Sequence, residues 1–170
     1  MVRPISMTSD IAATDVAARF PSKSELEAVS NSLKKAQVRL NAAEVFALNA
    51  EELSANAVNF VVRKFPDAAK TSQFLFNSPP EIESHSLKED VDVLLRLLTY
   101  CLVIGHDNPL ESTSLETIFN QISCAIRESS EISASWYIEA LEFLRKNHGL
   151  SGESAEEVSS YINYIVDAFR

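Results

Sequence analysis

The residues with the most reactive side chains are two cysteines, Cys101 and Cys124. They are far apart in the sequence, they form no Cys-x-x-Cys pattern, and both lie in helix-like sequence. That arrangement is typical of reduced thiols in a cytoplasmic protein rather than of a disulfide framework or a zinc site. Cys101 falls on an apolar helical row, which predicts a buried thiol.

The other groups that could do chemistry do not form a catalytic set. His85, His106 and His148 lack a mutual spacing that suits a metal, and none falls on an apolar helical row where an axial haem ligand would lie. We expect surface histidines. Paired carboxylates such as Glu156 and Glu157 fit helix first turns, where the helix dipole favours negative charge. No Gly-x-Ser-x-Gly elbow or phosphate-cradling glycine loop is present. The sequence predicts a protein that is not an enzyme.

The composition and the charge of the chain narrow the class of protein further. The chain has 170 residues, 46% of them hydrophobic, and only three glycines, which favours one compact helical domain. A net charge of -9 and an isoelectric point near 4.8 argue against a nucleic-acid partner and against adsorption to an anionic membrane. We find no transmembrane run and no secretory signal. A soluble, acidic, intracellular protein is expected.

The elements that would position these residues are helices. Residues 5–18 are weakly amphipathic, and Ser22 to Glu25 then have the form of a capping box. After that box, apolar residues recur at alternating steps of three and four, which predicts one apolar stripe on a long helix. The stripe consists of Leu26, Val29, Leu33, Ala36, Leu40, Ala43 and Ala47.

Later helices are predicted over 50–64, from about 87 to a stop at Gly105, over 110–127, from a Ser135 cap to Gly149, and after a capping box at Ser154. Residues 67–83 lack periodicity and predict a long loop. The expected inward residues are Leu53, Ala57, Phe60 and Val61, then Leu87, Val91, Leu94, Leu98 and Cys101, then Trp136, Ala140, Phe143 and Leu144, and finally Val158, Tyr161, Ile165 and Phe169.

Several short motifs resemble one protein family. The stretches SWYIEALE at 135–142, NHGLSG at 147–152, TYCL at 99–102 and KFP at 64–66 are similar to the alpha-type subunit of phycobiliproteins of the phycocyanin and phycoerythrocyanin kind. The resemblance covers essentially the whole chain. It implies a single all-α, globin-like domain over residues 1–170, with an N-terminal helical pair within residues 1–47 that docks onto a partner subunit.

The resemblance also locates a pigment site, and the sequence departs from it. Family members carry a linear tetrapyrrole on the cysteine of a Cys-Ala-Arg-Asp motif. Alignment from Arg96 and Tyr100 places Asp90 at the motif's aspartate, Glu89 at its arginine and Leu87 at its cysteine. Leucine cannot form a thioether, and a glutamate repels the propionate that an arginine would attract. We therefore expect no covalent bilin.

Two interpretations of the remaining pocket residues stay open. Asp90, Trp136 and Tyr137 could hold a non-covalent bilin or another tetrapyrrole, which would make the chain an antenna, carrier or sensor. The simpler interpretation is favoured: Asp90 is a solvated helix charge, and the aromatic pair belongs to the core. Attachment at Cys124 is disfavoured because no attachment motif surrounds it. A globin-like signalling domain with an empty or lipid-filled cavity is a weaker alternative.

The assembly residues of the family have counterparts in this chain. The resemblance implies that Asp15 pairs with a partner subunit, while Arg96 and Tyr100 receive the equivalent aspartate of that partner. The expected partner is a beta-type phycobiliprotein subunit, or a second copy, together with other phycobilisome components. The implied location is the cytoplasm, peripheral to the thylakoid membrane. The sequence thus predicts a phycobilisome-related subunit that acts by protein–protein contact.

Overall fold

Helices make up the part of the chain that the computed structural model describes, which is residues 20–69, 87–105 and 133–170 together with Cys124. The elements are α1 (Lys23–Leu48), α2 (Ala50–Lys64), a 3-10 turn (Pro66–Ala69), α3 (Leu87–Ile104), α4 (Ala134–Asn147) and α5 (Glu153–Phe169). The all-α prediction is confirmed. The helices expected over 5–18 and 110–127 and most of the expected loop over 67–83 lie outside the described residues.

The start of α1 follows the predicted capping box. The hydroxyl oxygen of Ser22 accepts a hydrogen bond from the backbone N–H of Glu25 at 3.3 Å, and the Glu25 carboxylate accepts one from the backbone N–H of Ser22 at 2.7 Å. These two bonds satisfy backbone donors that would otherwise be free at the helix start. The helix then runs for 26 residues to Leu48, and Asn49 is both its C-cap and the N-cap of α2.

The apolar stripe of α1 does not form its buried side. The core receives Ala42, Ala43 and Phe46 from this helix. Of the predicted stripe only Ala43 is buried, whereas the side chains of Leu26, Leu33 and Leu40 are 57%, 54% and 46% exposed. Residues seven apart lie on nearly the same side of a helix. The leucines therefore form one row that faces away from the core.

The centre of the fold is α3, which packs against α1, α2 and α5. Its predicted inward row is confirmed, because Leu87, Val91, Leu94, Leu98 and Cys101 are all buried. The predicted row of α5, which consists of Val158, Tyr161, Ile165 and Phe169, is buried as well.

Three details of the helices differ from prediction. Phe60 is 40% exposed and stacks on Phe143 of α4, with ring centroids 5.2 Å apart. The N-cap of α4 is Ser133 rather than Ser135. The N-cap of α5 is Gly152, and the Ser154 hydroxyl donates instead to the carbonyl of residue 38 at 3.4 Å. Tertiary contacts thus engage side chains that a local pattern assigns to caps and to the core.

The predicted stop of α3 at Gly105 has a steric reason. Gly105 has φ = +70°, a conformation that L side chains rarely adopt, and a Cβ at this residue would collide with the guanidinium of Arg39. Arg39 is largely buried and lies 3.6 Å from the carboxylate of Glu157. One arginine therefore joins α1, the end of α3 and α5. Gly149, with φ = +76°, confirms the predicted stop after α4.

Candidate functional site

The candidate site occupies the two faces of α3. With 3.6 residues per turn, Leu87 and Asp90 share the inner face with the core row, while Asp92, Arg96 and Tyr100 recur every four residues on the outer face. The inner face is the one to which the sequence assigned pigment binding. The outer face is the one to which it assigned subunit contact.

The inner face joins Asp90 to Tyr137 of α4. The Tyr137 hydroxyl donates a hydrogen bond to the Asp90 carboxylate at 2.7 Å, and both residues are 0% exposed. A hydrogen bond to a buried carboxylate is among the stronger kinds, since no water competes for it. The interpretation of Asp90 as a solvated helix charge is therefore wrong. The aspartate lies in the core and is bonded there to a side chain of the protein.

The aromatic pair occupies the same buried region. Trp136, 6% exposed, and Tyr137 lie at the start of α4 and belong to the hydrophobic core, in agreement with the simpler interpretation. Leu87 begins α3 and is also buried, at 4% exposed. Leu87 has a hydrocarbon side chain, so this residue cannot form the thioether through which sulfur would hold a bilin.

The two cysteines differ in environment. Cys101 is 1% exposed, which confirms the prediction of a buried thiol, and burial raises its pKa to about 11. At neutral pH this residue is therefore a protonated thiol and a poor nucleophile. Cys124 is an exposed free cysteine. The residues around it in the sequence lie outside the described part.

His148 is the one histidine among the described residues, and it is buried. His148 is 7% exposed, its ring lies 6.0 Å from that of Phe46, and its Nδ1 accepts the backbone N–H of Leu150 at 3.0 Å. Burial lowers its pKa. The prediction of a surface histidine is wrong here, while His85 and His106 lie outside the described residues. Within those residues no cluster of three or more potential ligands is placed to hold a metal ion.

The outer face of α3 borders a groove of about 560 Å³. Arg96 and Tyr100 are exposed there, the tyrosine by 56%, and Arg96 makes no ion pair within the described ranges. The residues that line this groove are Ala47, Ala50, Glu51, Lys88, Asp92, Leu95, Arg96, Thr99 and Tyr100. The structure thus brings together two of the three predicted interface residues. The third, Asp15, lies outside the described part.

Sequence reasoning missed how far this exposed surface extends. Ala47 lines the groove and is also the last member of the α1 stripe, so the leucine row leads into the groove at this residue. The seven-residue spacing of Leu26, Leu33 and Leu40 was a visible signal of such a row. The sequence pattern did not indicate which side of α1 would face the core.

None of the helices in the described ranges is both long enough and apolar enough to cross a lipid bilayer.

A family model for phycobilisome proteins matches residues 9–169. The phycoerythrocyanin alpha chain of Nostoc sp. is 36% identical over 162 residues, which covers 95% of this chain and 96% of that relative. The C-phycoerythrin alpha chain of Microchaete diplosiphon is 30% identical and the R-phycoerythrin alpha chain of Pyropia tenera 28% identical, each with the same coverage.

Proposed function

We propose the following function for this chain, which belongs to the phycobilisome protein family. It is an alpha-type subunit without a covalent bilin, and it acts by association with a beta-type subunit in a phycobilisome-related light-harvesting assembly. Its role there is structural, in assembly or in regulation, rather than enzymatic. The observation that carries the proposal is the contrast between the two faces of α3. Leu87 and Asp90 are buried, whereas Arg96 and Tyr100 are exposed beside a groove.

The pigment half of the proposal is supported by the chemistry of the inner face. Leu87 stands where the family resemblance requires a cysteine, and its side chain is packed in the core. The neighbouring Glu89 carries a negative charge where the family motif has a cation. Asp90 is bonded to Tyr137. The first two features each remove a contact that a covalently held bilin would need, and the third engages one oxygen of the Asp90 carboxylate inside the fold.

The association half is supported by the outer face. A guanidinium presents a planar pair of donors that matches a carboxylate, and the Tyr100 hydroxyl can donate to the same group. Arg96 and Tyr100 lie one helical turn apart, so they can reach one carboxylate of a partner together. The groove beneath them has a largely apolar lining, which suits an apolar side chain next to that carboxylate. By analogy with the family, we assign the assembly to the cytoplasmic face of thylakoid membranes.

The pigment half is tested on protein purified from its native host. We expect an intact mass that equals the polypeptide alone, and no visible absorption band after denaturation in acid urea. A bilin adduct on any residue, Cys124 included, would contradict this half of the proposal. The association half would still stand in that case.

The association half is tested by mixing with a phycocyanin beta-type subunit. We expect a heterodimer in analytical ultracentrifugation, and we expect Arg96→Glu to weaken it at least about tenfold, because the reversed charge would face a partner carboxylate. Arg63→Glu is the matched control, since Arg63 is exposed on α2 and does not line the groove. Absence of a heterodimer, or equal effects of the two variants, would overturn this half.

A second candidate function is non-covalent tetrapyrrole binding. The burial of Asp90, Trp136 and Tyr137 in one region favours it, because aromatic rings beside a carboxylate suit a protonated pyrrole. Titration with free biliverdin separates the two functions. We expect no change in the biliverdin spectrum, whereas saturable binding that Tyr137→Phe alters would support the second candidate.

A further inference from the structure

The turn between α4 and α5 is closed by a side chain rather than by the backbone. His148 is the C-cap of α4, and Gly149, with φ = +76°, follows it. After a glycine of this conformation, the N–H of the next residue commonly donates to a carbonyl of the last helical turn. The N–H of Leu150 donates instead to Nδ1 of His148, at 3.0 Å. In the described structure, the N–H groups of residues 149–151 donate to no backbone carbonyl.

The ring that closes this turn also packs on α1. His148 is 7% exposed, and its ring centroid lies 6.0 Å from that of Phe46, which is fully buried. Leu150, whose N–H the ring holds, is partly buried and packs against the hydrophobic core. Phe46 directly precedes Ala47, which lines the groove beside α3. One imidazole therefore fixes the turn and attaches it to α1.

The hydrogen bond determines the protonation state of the ring. A backbone N–H can only donate, so Nδ1 must present its lone pair, and the proton of the neutral ring lies on Nε2. Protonation of Nδ1 removes the acceptor to which the Leu150 N–H is bonded. Burial lowers the pKa of His148, and the backbone carbonyl of Arg145, which favours the charged ring, opposes this shift without reversing it.

A charged ring would have no ionic partner at this site. Three helices meet at the turn, and their charged residues nearest to it along the chain are Arg39 and Glu44 of α1, Glu142, Arg145 and Lys146 of α4, and Glu153, Glu156 and Glu157 of α5. Arg39 pairs with Glu157, and Arg145 pairs with Glu142. His148 makes no ion pair with any of them or with another residue of the described ranges. Burial without a counter-ion disfavours the charged form.

We propose that His148 is an acid-released latch: its neutral ring holds the α4–α5 turn closed and attached to α1, and its protonation in mild acid opens the turn. The bond that breaks is the hydrogen bond from the Leu150 N–H to Nδ1, and the charged ring leaves Phe46 for water. The latch goes beyond the proposed function and does not depend on it, since neither a pigment nor a partner subunit takes part.

The sign of the pH dependence follows from the lowered pKa of His148. Between the ordinary value of 6.5 and the lower pKa of the closed turn, the open turn binds one more proton than the closed turn does. In that window the opening equilibrium rises by up to about tenfold for each pH unit of acidification. Above the window the closed turn keeps its full advantage, and below it the dependence levels off.

The test is amide hydrogen exchange of the full-length chain, followed by NMR from neutral pH into the acidic range and corrected for the intrinsic pH dependence of exchange. We expect the Leu150 amide to show the acid step in its opening equilibrium. The internal control is the Phe65 amide at the end of α2, which donates to the backbone carbonyl of Val61 at 2.7 Å and should show no such step. In the same samples, the His148 ring should be the Nε2–H tautomer at neutral pH.

Two variants separate the hydrogen bond from the titration. His148→Asn keeps an acceptor for the N–H two residues on and does not titrate, so we expect a protected Leu150 amide without the acid step. His148→Phe keeps a ring against Phe46 and removes the acceptor, so it should lose about fivefold of the Leu150 protection at every pH. His85 and His106 are present in all three chains, so differences among the chains report on His148. Circular dichroism checks that each variant is folded.

An acid step of the same size in His148→Asn would overturn the inference. So would an Nδ1–H tautomer at neutral pH, or a ring that titrates at or above pH 6.5, and both of these are measured on the unaltered chain. A Phe65 amide that opens together with the Leu150 amide would also contradict it, because acid would then unfold the whole chain. All measurements use the isolated chain, so their outcome is independent of whether a heterodimer forms.

Discussion

On the inner face of α3, Asp90 has no exposed surface and its carboxylate accepts a hydrogen bond from Tyr137. On the outer face, Arg96 and Tyr100 are exposed beside a groove, and Arg96 makes no ion pair within the described ranges. The same helix thus has one side whose polar group is satisfied inside the fold and another side whose polar groups are available. The polar group of the inner side therefore contributes to the packed interior, and the outer side is available for the contact proposed above.

The α1 helix shows the same division more strongly. Its core side presents small or flat residues, Ala42 and Phe46, whereas its leucines lie on the opposite side. Because a leucine side chain gains free energy in proportion to the area that is covered, these half-exposed leucines stabilise the isolated chain less than buried ones do. The predictions below use matched residues of the two sides to test this division.

The largest expected effect on the free energy of unfolding is the difference between a buried leucine, Leu98, and an exposed one, Leu33. Leu98→Ala, at a fully buried position in α3, should lower the free energy of unfolding by about 2–5 kcal/mol, because it removes buried methyl groups and leaves a cavity. Leu33→Ala, at a residue 54% exposed, should change it by no more than about 0.5 kcal/mol. Urea unfolding of the isolated chain measures both. Similar losses for the two variants would show that the leucine row is part of the core.

The next largest effect on the free energy of unfolding is expected from removing the hydroxyl of Tyr137, in comparison with that of Tyr100. Tyr137→Phe removes the donor to a buried carboxylate and should cost about 1–3 kcal/mol of unfolding free energy. Tyr100→Phe should leave stability unchanged, because its ring is 56% exposed, and should weaken only the complex with a beta-type subunit. The two variants therefore separate a stabilising hydroxyl from a contacting one. A stability loss in Tyr100→Phe, with none in Tyr137→Phe, would contradict the roles given to the two faces of α3.

The smallest expected effect is the difference in unfolding free energy between alanine substitutions of Gly149 and Gly105. Gly149→Ala should cost about 1–2 kcal/mol through its positive φ alone, because nothing lies within 4 Å of the added Cβ. Gly105→Ala carries the same strain and also displaces Arg39, so it should cost more. In an Arg39→Ala background the two glycine substitutions should become equal. An unchanged difference in that background would show that Arg39 does not restrict the end of α3.

Much of the fold was predictable because it depends on local signals. The capping box at Ser22, the bounds of α2, the row of α3 and the stops at Gly105 and Gly149 all follow from backbone satisfaction and helical periodicity. Predictions failed where a side chain contacts a distant element. Ser154 bonds to α1 and His148 packs on Phe46, and neither contact leaves a trace in the neighbouring sequence.

For the candidate site, the sequence by itself determined which groups are available: a leucine at residue 87, an acid at residue 90, and a regular leucine row in α1. Only the tertiary structure decided where each group lies. Periodicity gives the direction of a side chain relative to its own helix, and it does not identify the neighbour on each side. That is why Asp90 proved to be buried against Tyr137 and the α1 leucines proved to be exposed.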